Sequence, residues 1–187
     1  NTPTAFFKGN IDEVRIWNVA AAGSYGTFGN CTSSGYYAAG ELYKTITMGE
    51  HDKQVIEFKD KQGLVILKKV QETGDADDGA GVGYTGWACT YYVYDDLNRL
   101  RCVIQPEAVK ALKAGNWTIN IPGGYCFRYE YDHRNRMVMK KVPGAVEVYM
   151  VYDARDRLVM TQDGRQRSAS LDFWVVTLYD ELNRPIH

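Results

Sequence analysis

The chain has 187 residues, of which 45% are hydrophobic and 24% charged, and its formal net charge is −1. This composition excludes a disordered chain, and the scattered charges leave no basic stripe for nucleic acid. No apolar run approaches the roughly 20 residues that span a bilayer, and the first residues lack the layout of a signal peptide. The 14 tyrosines against only 5 prolines favour a mostly β fold, because aromatic side chains suit half-buried strands.

The first twenty residues contain the run Gly-Asn-Ile-Asp-Glu-Val-Arg-Ile-Trp-Asn at 9–18. Over residues 5–20 the chain resembles the C-terminal end of a laminin-G-like, concanavalin-type lectin sandwich. Because a sandwich needs both sheets to bury either one, the resemblance implies only the terminal strands of an incomplete domain at 1–20. It implies no sugar or calcium site. Residues 21–40, rich in Gly, Ser, Tyr and Ala, are predicted to form a linker.

The segment 55–67 is the first predicted β-hairpin. Its apolar residues lie on both sides of Asp60, and Gly63 follows that aspartate by three residues. Glycine adopts positive φ without a steric cost, so this spacing predicts a tight turn.

The segment 71–86 is rich in Gly and Asp and predicts a long loop. Its Asp75, Asp77 and Asp78 suggest calcium, but the closing Glu of an EF-hand is missing, which favours a solvated loop. The glycines of 79–83 are as dense as in a phosphate loop, yet no Lys-Ser/Thr pair follows them, which favours a flexible loop.

One helix is predicted near 106–114. Pro106 begins the segment, good helix formers fill it, and Gly115 follows it.

The four cysteines are Cys31, Cys89, Cys102 and Cys126, and their spacing matches no zinc site. Two of them, Cys102 and Cys126, lie in strand-like segments, where cysteine behaves as a small buried hydrophobe. We interpret the cysteines as core thiols, and their disulfide state is left open.

A six-residue pattern occurs four times in the second half of the chain. The copies are Tyr94-Asp95-Asp96-Leu97-Asn98-Arg99, Tyr131-Asp132-His133-Arg134-Asn135-Arg136, Tyr152-Asp153-Ala154-Arg155-Asp156-Arg157 and Tyr179-Asp180-Glu181-Leu182-Asn183-Arg184. The segment around Asp60 is a degenerate fifth copy, with Lys59 for the aromatic residue and Leu64 for the arginine. An internal repeat of this kind predicts a repeated structural unit.

Turn chemistry explains each position of the repeat. Asp is expected to accept hydrogen bonds from the backbone N–H groups two and three residues on, and Asn, Asp or Gly tolerates positive φ in a bulge. Arg begins the return strand and pairs with the Asp carboxylate. The predicted turn residues are Asp60, Gly63, Asp95, Asn98, Arg99, Asp132, Asn135, Arg136, Asp153, Asp156, Arg157, Asp180, Asn183 and Arg184.

These copies resemble the YD repeats of the bacterial Rhs proteins and their relatives, over residues 41–187. The family prefers Gly where this chain has Asn or Asp. The resemblance implies antiparallel β-hairpins in a curved strip of a shell, often around a toxin or other C-terminal cargo. About ten strands at about 4.8 Å each give a strip of roughly 48 Å, too narrow to enclose a folded domain. We therefore expect residues 41–187 to form a YD-repeat β-sheet that is one segment of a larger shell.

The repeat tyrosines have two interpretations. They form a cross-strand ladder that fixes register, or they stack on glycans. The candidates are Tyr92, Tyr94, Tyr131, Tyr152 and Tyr179. The recurrence of the ring beside each turn favours the ladder.

No spacing in the sequence predicts a catalytic site, a metal site or a cofactor. Nothing in the positions of His51, His133 and His187 predicts a catalytic triad or dyad. The sequence therefore predicts a non-enzymatic structural segment of a large secreted or cell-surface bacterial protein, which encloses cargo or presents an adhesive surface. The expected partners are the rest of the same polypeptide or neighbouring strands and C-terminal cargo, and the alternative is a carbohydrate- or partner-binding module.

Overall fold

The computed structural model describes residues 14–19, 31–73, 83–115, 117, 124–168 and 170–186. The chain divides into two compact units, Asn1–Tyr125 and Cys126–His187, which we call the first and the second unit. Within the described ranges, no helix has the length and apolar character needed to cross a bilayer.

The first unit contains antiparallel strands and one helix. Its elements are β1 (Arg15–Val19), β2 (Cys31–Tyr36), β3 (Tyr43–Met48), β4 (Gln54–Lys59), β5 (Val65–Gln71), β6 (Trp87–Tyr94), β7 (Leu100–Ile104) and α1 (Pro106–Ala114). Strands β1 and β2 pair with each other. The remaining strands form a sheet in the order β7-β6-β5-β4-β3, so that each strand pairs with its neighbours in sequence.

Alternation along β6 shows why this sheet forms. Trp87, Cys89, Tyr91 and Val93 are buried, and the residues between them are half-buried. Successive side chains of a strand point to opposite faces, so a period of two gives the sheet one apolar face. Burial of that face is the main favourable contribution to the folding of the first unit.

Helix α1 covers part of this unit and lies against β6. Pro106 occupies its first turn, where a missing N–H costs nothing, and Gly115 follows its last residue. Its buried side chains are Ala108, Val109 and Leu112, at the spacing of one helical face.

The second unit is built from shorter strands. They are β8 (Cys126–Tyr131), β9 (Met137–Lys141), β10 (Val148–Tyr152), β11 (Leu158–Gln162), β12 (Arg167–Ser168), β13 (Leu171–Asp172), β14 (Val175–Val176), β15 (Leu178–Tyr179) and β16 (Pro185–Ile186). The sheet order is β14-β11-β10-β9-β8, while β12 pairs with β13 and β15 with β16. Among its described apolar side chains, only Cys126 and Met139 are buried. The described part of the second unit therefore has a much smaller apolar core than the first unit.

The predicted fold class is confirmed: the described residues are mostly β, arranged in antiparallel hairpins, with one short helix. The predicted helix at 106–114 coincides with α1. Cys89, Cys102 and Cys126 are buried thiols, as predicted.

Other expectations concern the N-terminal part and the long loop. Residues 31–36 of the predicted linker form β2, which extends the pairing of β1. The rest of the lectin-like segment, residues 21–30 of the linker, and Asp75, Asp77 and Asp78 lie outside the described residues. The division into three domains at 20 and 40 stays a prediction.

Candidate functional site

The five repeat turns share one backbone geometry. In each, the Asp N–H donates to the carbonyl oxygen four residues on, at 2.9–3.0 Å. The N–H three residues on donates back to the Asp carbonyl oxygen, at 2.8–3.1 Å. The turns begin at Asp60, Asp95, Asp132, Asp153 and Asp180. These two hydrogen bonds close each hairpin with the same loop length.

The aspartate side chain fixes the inside of each turn. Its Oδ1 accepts hydrogen bonds from the N–H groups two and four residues on, at 2.8–3.1 Å. The sequence had predicted the N–H groups two and three residues on. The difference arises because the third N–H already donates to the Asp carbonyl oxygen.

The residue three positions after Asp has a positive φ in every turn. The values are 85° for Gly63, 59° for Asn98, 61° for Asn135, 63° for Asp156 and 60° for Asn183. In four of the hairpins a register shift marks a bulge beside the turn. Glycine, Asn and Asp tolerate this left-handed conformation best, which explains why the chain uses these types.

Each arginine of the repeat pairs with the aspartate of its own turn. The Arg Nε donates to Asp Oδ2 at 2.7–2.8 Å; the donors are Arg99, Arg136, Arg157 and Arg184. Burial opposes ionisation of Asp132, but the hydrogen bonds from Arg136 and Arg134 outweigh it and lower the pKa of Asp132 to about 2. The backbone N–H of Arg157 is the largest cause of the lowered pKa of Asp153. Both carboxylates are therefore ionised at neutral pH in the folded chain.

Arg136 also reaches the next turn along the chain. Its guanidinium lies 5.0 Å from the centre of the Tyr152 ring. Nη1 of Arg136 donates to the Asp153 carbonyl oxygen at 3.0 Å and to Oδ1 of Asp156 at 2.7 Å. The Tyr152 hydroxyl donates to the Met137 carbonyl oxygen at 2.9 Å. We call such a set of contacts between one turn and the next a junction.

The next junction repeats this arrangement. The guanidinium of Arg157 lies 4.9 Å from the centre of the Tyr179 ring, and its Nη1 donates to Oδ1 of Asn183 at 3.0 Å. The Tyr179 hydroxyl donates to the Leu158 carbonyl oxygen at 2.9 Å. The arginine of one turn thus holds the tyrosine and the positive-φ residue of the following turn.

Strand register explains why the junctions repeat. Strand β9 pairs Lys140 with Val148, and continuing this register sets Arg136 opposite Tyr152. Strand β11 pairs Met160 with Val176, and the same continuation sets Arg157 opposite Tyr179. The junction is therefore a property of how neighbouring hairpins align.

Comparisons with known proteins show a likeness of fold. The crystal structure of TcdB2-TccC3-TEV contains a chain similar to this one, with 17% identity and a TM-score of 0.54 over 81% of this chain. The crystal structure of TcdB2-TccC3-Cdc42 contains another, with 20% identity and a TM-score of 0.49 over 69% of this chain. This chain spans 7% and 5% of the length of those two chains. No family model matches this chain, and no curated protein does either.

The structure places the five candidate tyrosines in half-buried positions. They are Tyr92, Tyr94, Tyr131, Tyr152 and Tyr179. For Tyr152 and Tyr179 an arginine covers one face of the ring, so that face cannot stack on a sugar. An arginine contacts each of these two rings, and the cross-strand ladder of tyrosines stays a prediction.

Sequence reasoning missed the forward contacts of the arginines. The register of the strands could have revealed these contacts. Arg136 directly precedes β9, Tyr152 ends β10, and these two strands pair with each other. It also missed Arg167, whose guanidinium lies 4.4 Å from the centre of the Tyr149 ring and whose Nη2 donates to the Glu147 carbonyl oxygen. Arg167 stands outside the repeat pattern, so no repeated signal pointed to it.

Arginine is suited to a junction because its planar guanidinium provides several N–H donors and stacks on an aromatic face. The arrangement provides ion pairs and hydrogen bonds that join hairpins. Among the described residues, no group of three or more His, Cys, Asp or Glu could hold a metal ion.

Proposed function

We propose that this chain is a structural segment of a large Rhs/YD-repeat protein, secreted or held at a bacterial cell surface. Its hairpins form part of a β-shell wall that encloses cargo or presents an adhesive surface. The proposal assigns no catalytic step to the chain. The observation that carries it is the pair of junctions in the second unit, in which Arg136 and Arg157 each hold the following turn.

The junctions support a wall because they link hairpins in series. Each hairpin contributes the same surface, so stability depends on contacts between neighbours as in other repeat proteins. The few buried apolar residues of the second unit also fit a single-layer wall that other parts of a larger protein cover. The fold likeness to a short part of the TcdB2-TccC3-TEV chain agrees with a segment of this kind.

Arg184 repeats the contact within its own turn and has no described contact with a following turn. Its side chain is 71% exposed, whereas the side chains of Arg136 and Arg157 are 19% and 24% exposed. Its Nε donates to Asp180 as in the other turns. Exposed apolar residues lie in the same region, including Trp174, Leu178 and Ile186. A further hairpin with a tyrosine beside its turn would cover this surface.

Fusing a copy of residues 140–186 after His187 tests the proposal, because the copied Tyr152 then follows Arg184 at the spacing at which Tyr152 follows Arg136. We expect the added hairpins to raise the melting temperature and to slow hydrogen exchange in β15 and β16, since a neighbour would protect them. A matched fusion with the tyrosine and aspartate of the first added turn replaced by Ser should give neither effect. If the two fusions have the same melting temperature and the same hydrogen exchange in β15 and β16, the assignment of this chain as a wall segment is wrong.

A further inference from the structure

The junction between the Asp60 turn and the Asp95 turn lacks an arginine. Strand β5 pairs Leu67 with Tyr91, and continuing this register sets Leu64 opposite Tyr94. This is the alignment that sets Arg136 opposite Tyr152 in the second unit. Leu64 therefore occupies the position from which an arginine holds the following turn elsewhere.

A cavity of about 160 Å³ lies at this junction. Its lining includes Asp60 and Leu64 of the first turn, and Tyr94, Asp95 and Asn98 of the second. One water molecule needs about 10–15 Å³ of volume measured in this way. The cavity therefore has room for the planar CN₃ group of a guanidinium. Because Leu64 is shorter than arginine, it leaves space for a guanidinium group. This space lies beside the same types of group that contact the arginine guanidinium in the other junctions.

The lining carries a negative charge. Oδ1 of Asp60 accepts hydrogen bonds from the N–H groups of Gln62 and Leu64, both at 2.9 Å. Among the described residues, no Lys or Arg forms an ion pair with this carboxylate, and the neighbouring Lys59 pairs with Glu57 at 3.1 Å. Oδ2 of Asp60, which an Arg Nε contacts in the other turns, is thus open to an added cation.

The tyrosines around the cavity respond to this charge. Burial raises the pKa of Tyr94, and the charges of Tyr92 and Asp60 add to the effect. Burial also raises the pKa of Tyr37, which lines the same cavity, and the charges of Asp60 and Glu41 contribute. Both hydroxyls therefore stay protonated at neutral pH. Of the two carboxylates in the lining, Asp95 pairs with Arg99 at 2.8 Å, whereas Asp60 has no paired cation among the described residues.

We propose that this cavity binds a guanidinium group supplied from outside the repeat, either the side chain of a protein arginine or a small guanidinium compound. The cation pairs with Oδ2 of Asp60, stacks on the Tyr94 ring and donates to Oδ1 of Asn98 and to the Asp95 carbonyl oxygen. These contacts correspond to those that Arg136 makes with Asp132, Tyr152, Asp156 and Asp153.

The geometry favours guanidinium over ammonium. A guanidinium is planar, presents donors in several directions and stacks on an aromatic ring, whereas an ammonium is compact and more strongly hydrated. In both junctions of the second unit, an arginine contacts a carboxylate of its own turn, a side-chain oxygen of the next turn and a tyrosine ring. We therefore expect the site to discriminate between arginine and lysine side chains.

Titration of the full chain with Nα-acetyl-arginine amide tests the proposal, followed by amide NMR shifts of Leu64, Asp95 and Asn98. We expect saturable shifts at these amides and weak or no binding of Nα-acetyl-lysine amide. Propylguanidine, which carries the same single charge and lacks the backbone groups, separates the two sources. Tighter binding of the blocked arginine points to a protein side chain, and equal or tighter binding of propylguanidine points to a small molecule.

Three variants assign the binding to this cavity. Asp60→Asn keeps an oxygen for the turn and should weaken binding by about tenfold or more, since a charged hydrogen-bond partner is lost. Asp96→Asn removes the same charge from an exposed turn position outside the lining and should leave binding unchanged. Leu64→Arg restores the repeat pattern, should fill the cavity from within and should abolish binding.

Asn98→Asp provides a check that does not depend on the folding of the Leu64 variant. Asp occupies the equivalent position 156 of the second unit with the same positive φ, so this change fits the turn. The added carboxylate should tighten binding of the blocked arginine several-fold. Absence of saturable binding, equal binding of the lysine compound, or unchanged affinity in Asn98→Asp would each overturn the proposal.

Discussion

Arg136 and Tyr152 belong to different hairpins, yet the guanidinium of one lies 5.0 Å from the ring centre of the other. The tyrosine hydroxyl meanwhile donates to Met137, the residue that follows the arginine. The two side chains thus connect the hairpins in both directions. Because the same pair recurs as Arg157 and Tyr179, its contribution to stability can be measured by comparing repeats.

Arg136→Gln should destabilise the second unit more than Arg184→Gln does. Both arginines pair with the aspartate of their own turn, but only Arg136 has described contacts with a following turn. We expect the first variant to lower the melting temperature by several degrees and the second to change it little. Equal losses in thermal denaturation would show that the contacts between turns contribute nothing.

Tyr152→Phe should remove one hydrogen bond and keep the ring under the guanidinium. We expect a loss of about 0.5–1.5 kcal/mol in the free energy of unfolding, measured by urea denaturation. Tyr152→Ala also removes the ring and should cost more. Tyr125→Phe is the matched control, since Tyr125 is 50% exposed, and its stability should not change. A stable Tyr152→Ala protein with altered glycan binding would instead support recognition by the tyrosines.

Asn135→Val should disrupt its turn. Asn135 has a φ of 61°, which a β-branched residue adopts only with strain, so we expect a loss of about 1–3 kcal/mol in urea denaturation. Asn135→Gly is the control, because glycine occupies the same position at Gly63 with a φ of 85°. Its stability should stay close to that of the unchanged chain. A fully stable valine variant would contradict the assignment of this turn.

Acid should destabilise the repeat turns in a defined range. The pKa of Asp132 is about 2 in the fold against an ordinary value of 3.8, so the folded chain binds fewer protons than the unfolded chain between these values. The contribution of this carboxylate to stability is therefore complete above about pH 4 and is lost as the pH falls toward 2.

Urea midpoints measured across this range check the prediction. Asp132→Asn should lower stability at neutral pH and flatten its dependence on acid, because the variant has no proton to gain at that position. A variant with the same acid dependence as the unchanged chain would show that Asp132 is not the group that titrates.

Local chemistry made the hairpins predictable. Asp, a positive-φ residue and Arg at fixed spacing specify a turn without reference to the rest of the chain, and Pro106 with Gly115 delimits α1 in the same way. The detailed hydrogen bonds were less predictable. The side chain of Asp132, for example, accepts from the N–H of Arg136, four residues on, and not from the N–H of Asn135. The Asn135 N–H donates instead to the Asp132 carbonyl oxygen.

The junctions depend on how separate hairpins align, and a single repeat contains no information about that alignment. The forward contact of Arg136 with Asp156 was therefore missed, as was the cavity beside Leu64. Strand β2 was missed for a related reason. Its Gly- and Ser-containing residues have weak strand preference, and they form a strand through pairing with β1.

The forward direction of the arginine contacts has a consequence for synthesis. Each arginine lies N-terminal to the turn that it holds, so during translation the binding surface is complete before its occupant leaves the ribosome. We therefore expect a nascent hairpin to meet a neighbour that has already formed, and the contacts it needs are local in sequence, which favours rapid folding. The repeats of the second unit can thus be added one at a time, in the order in which they are made.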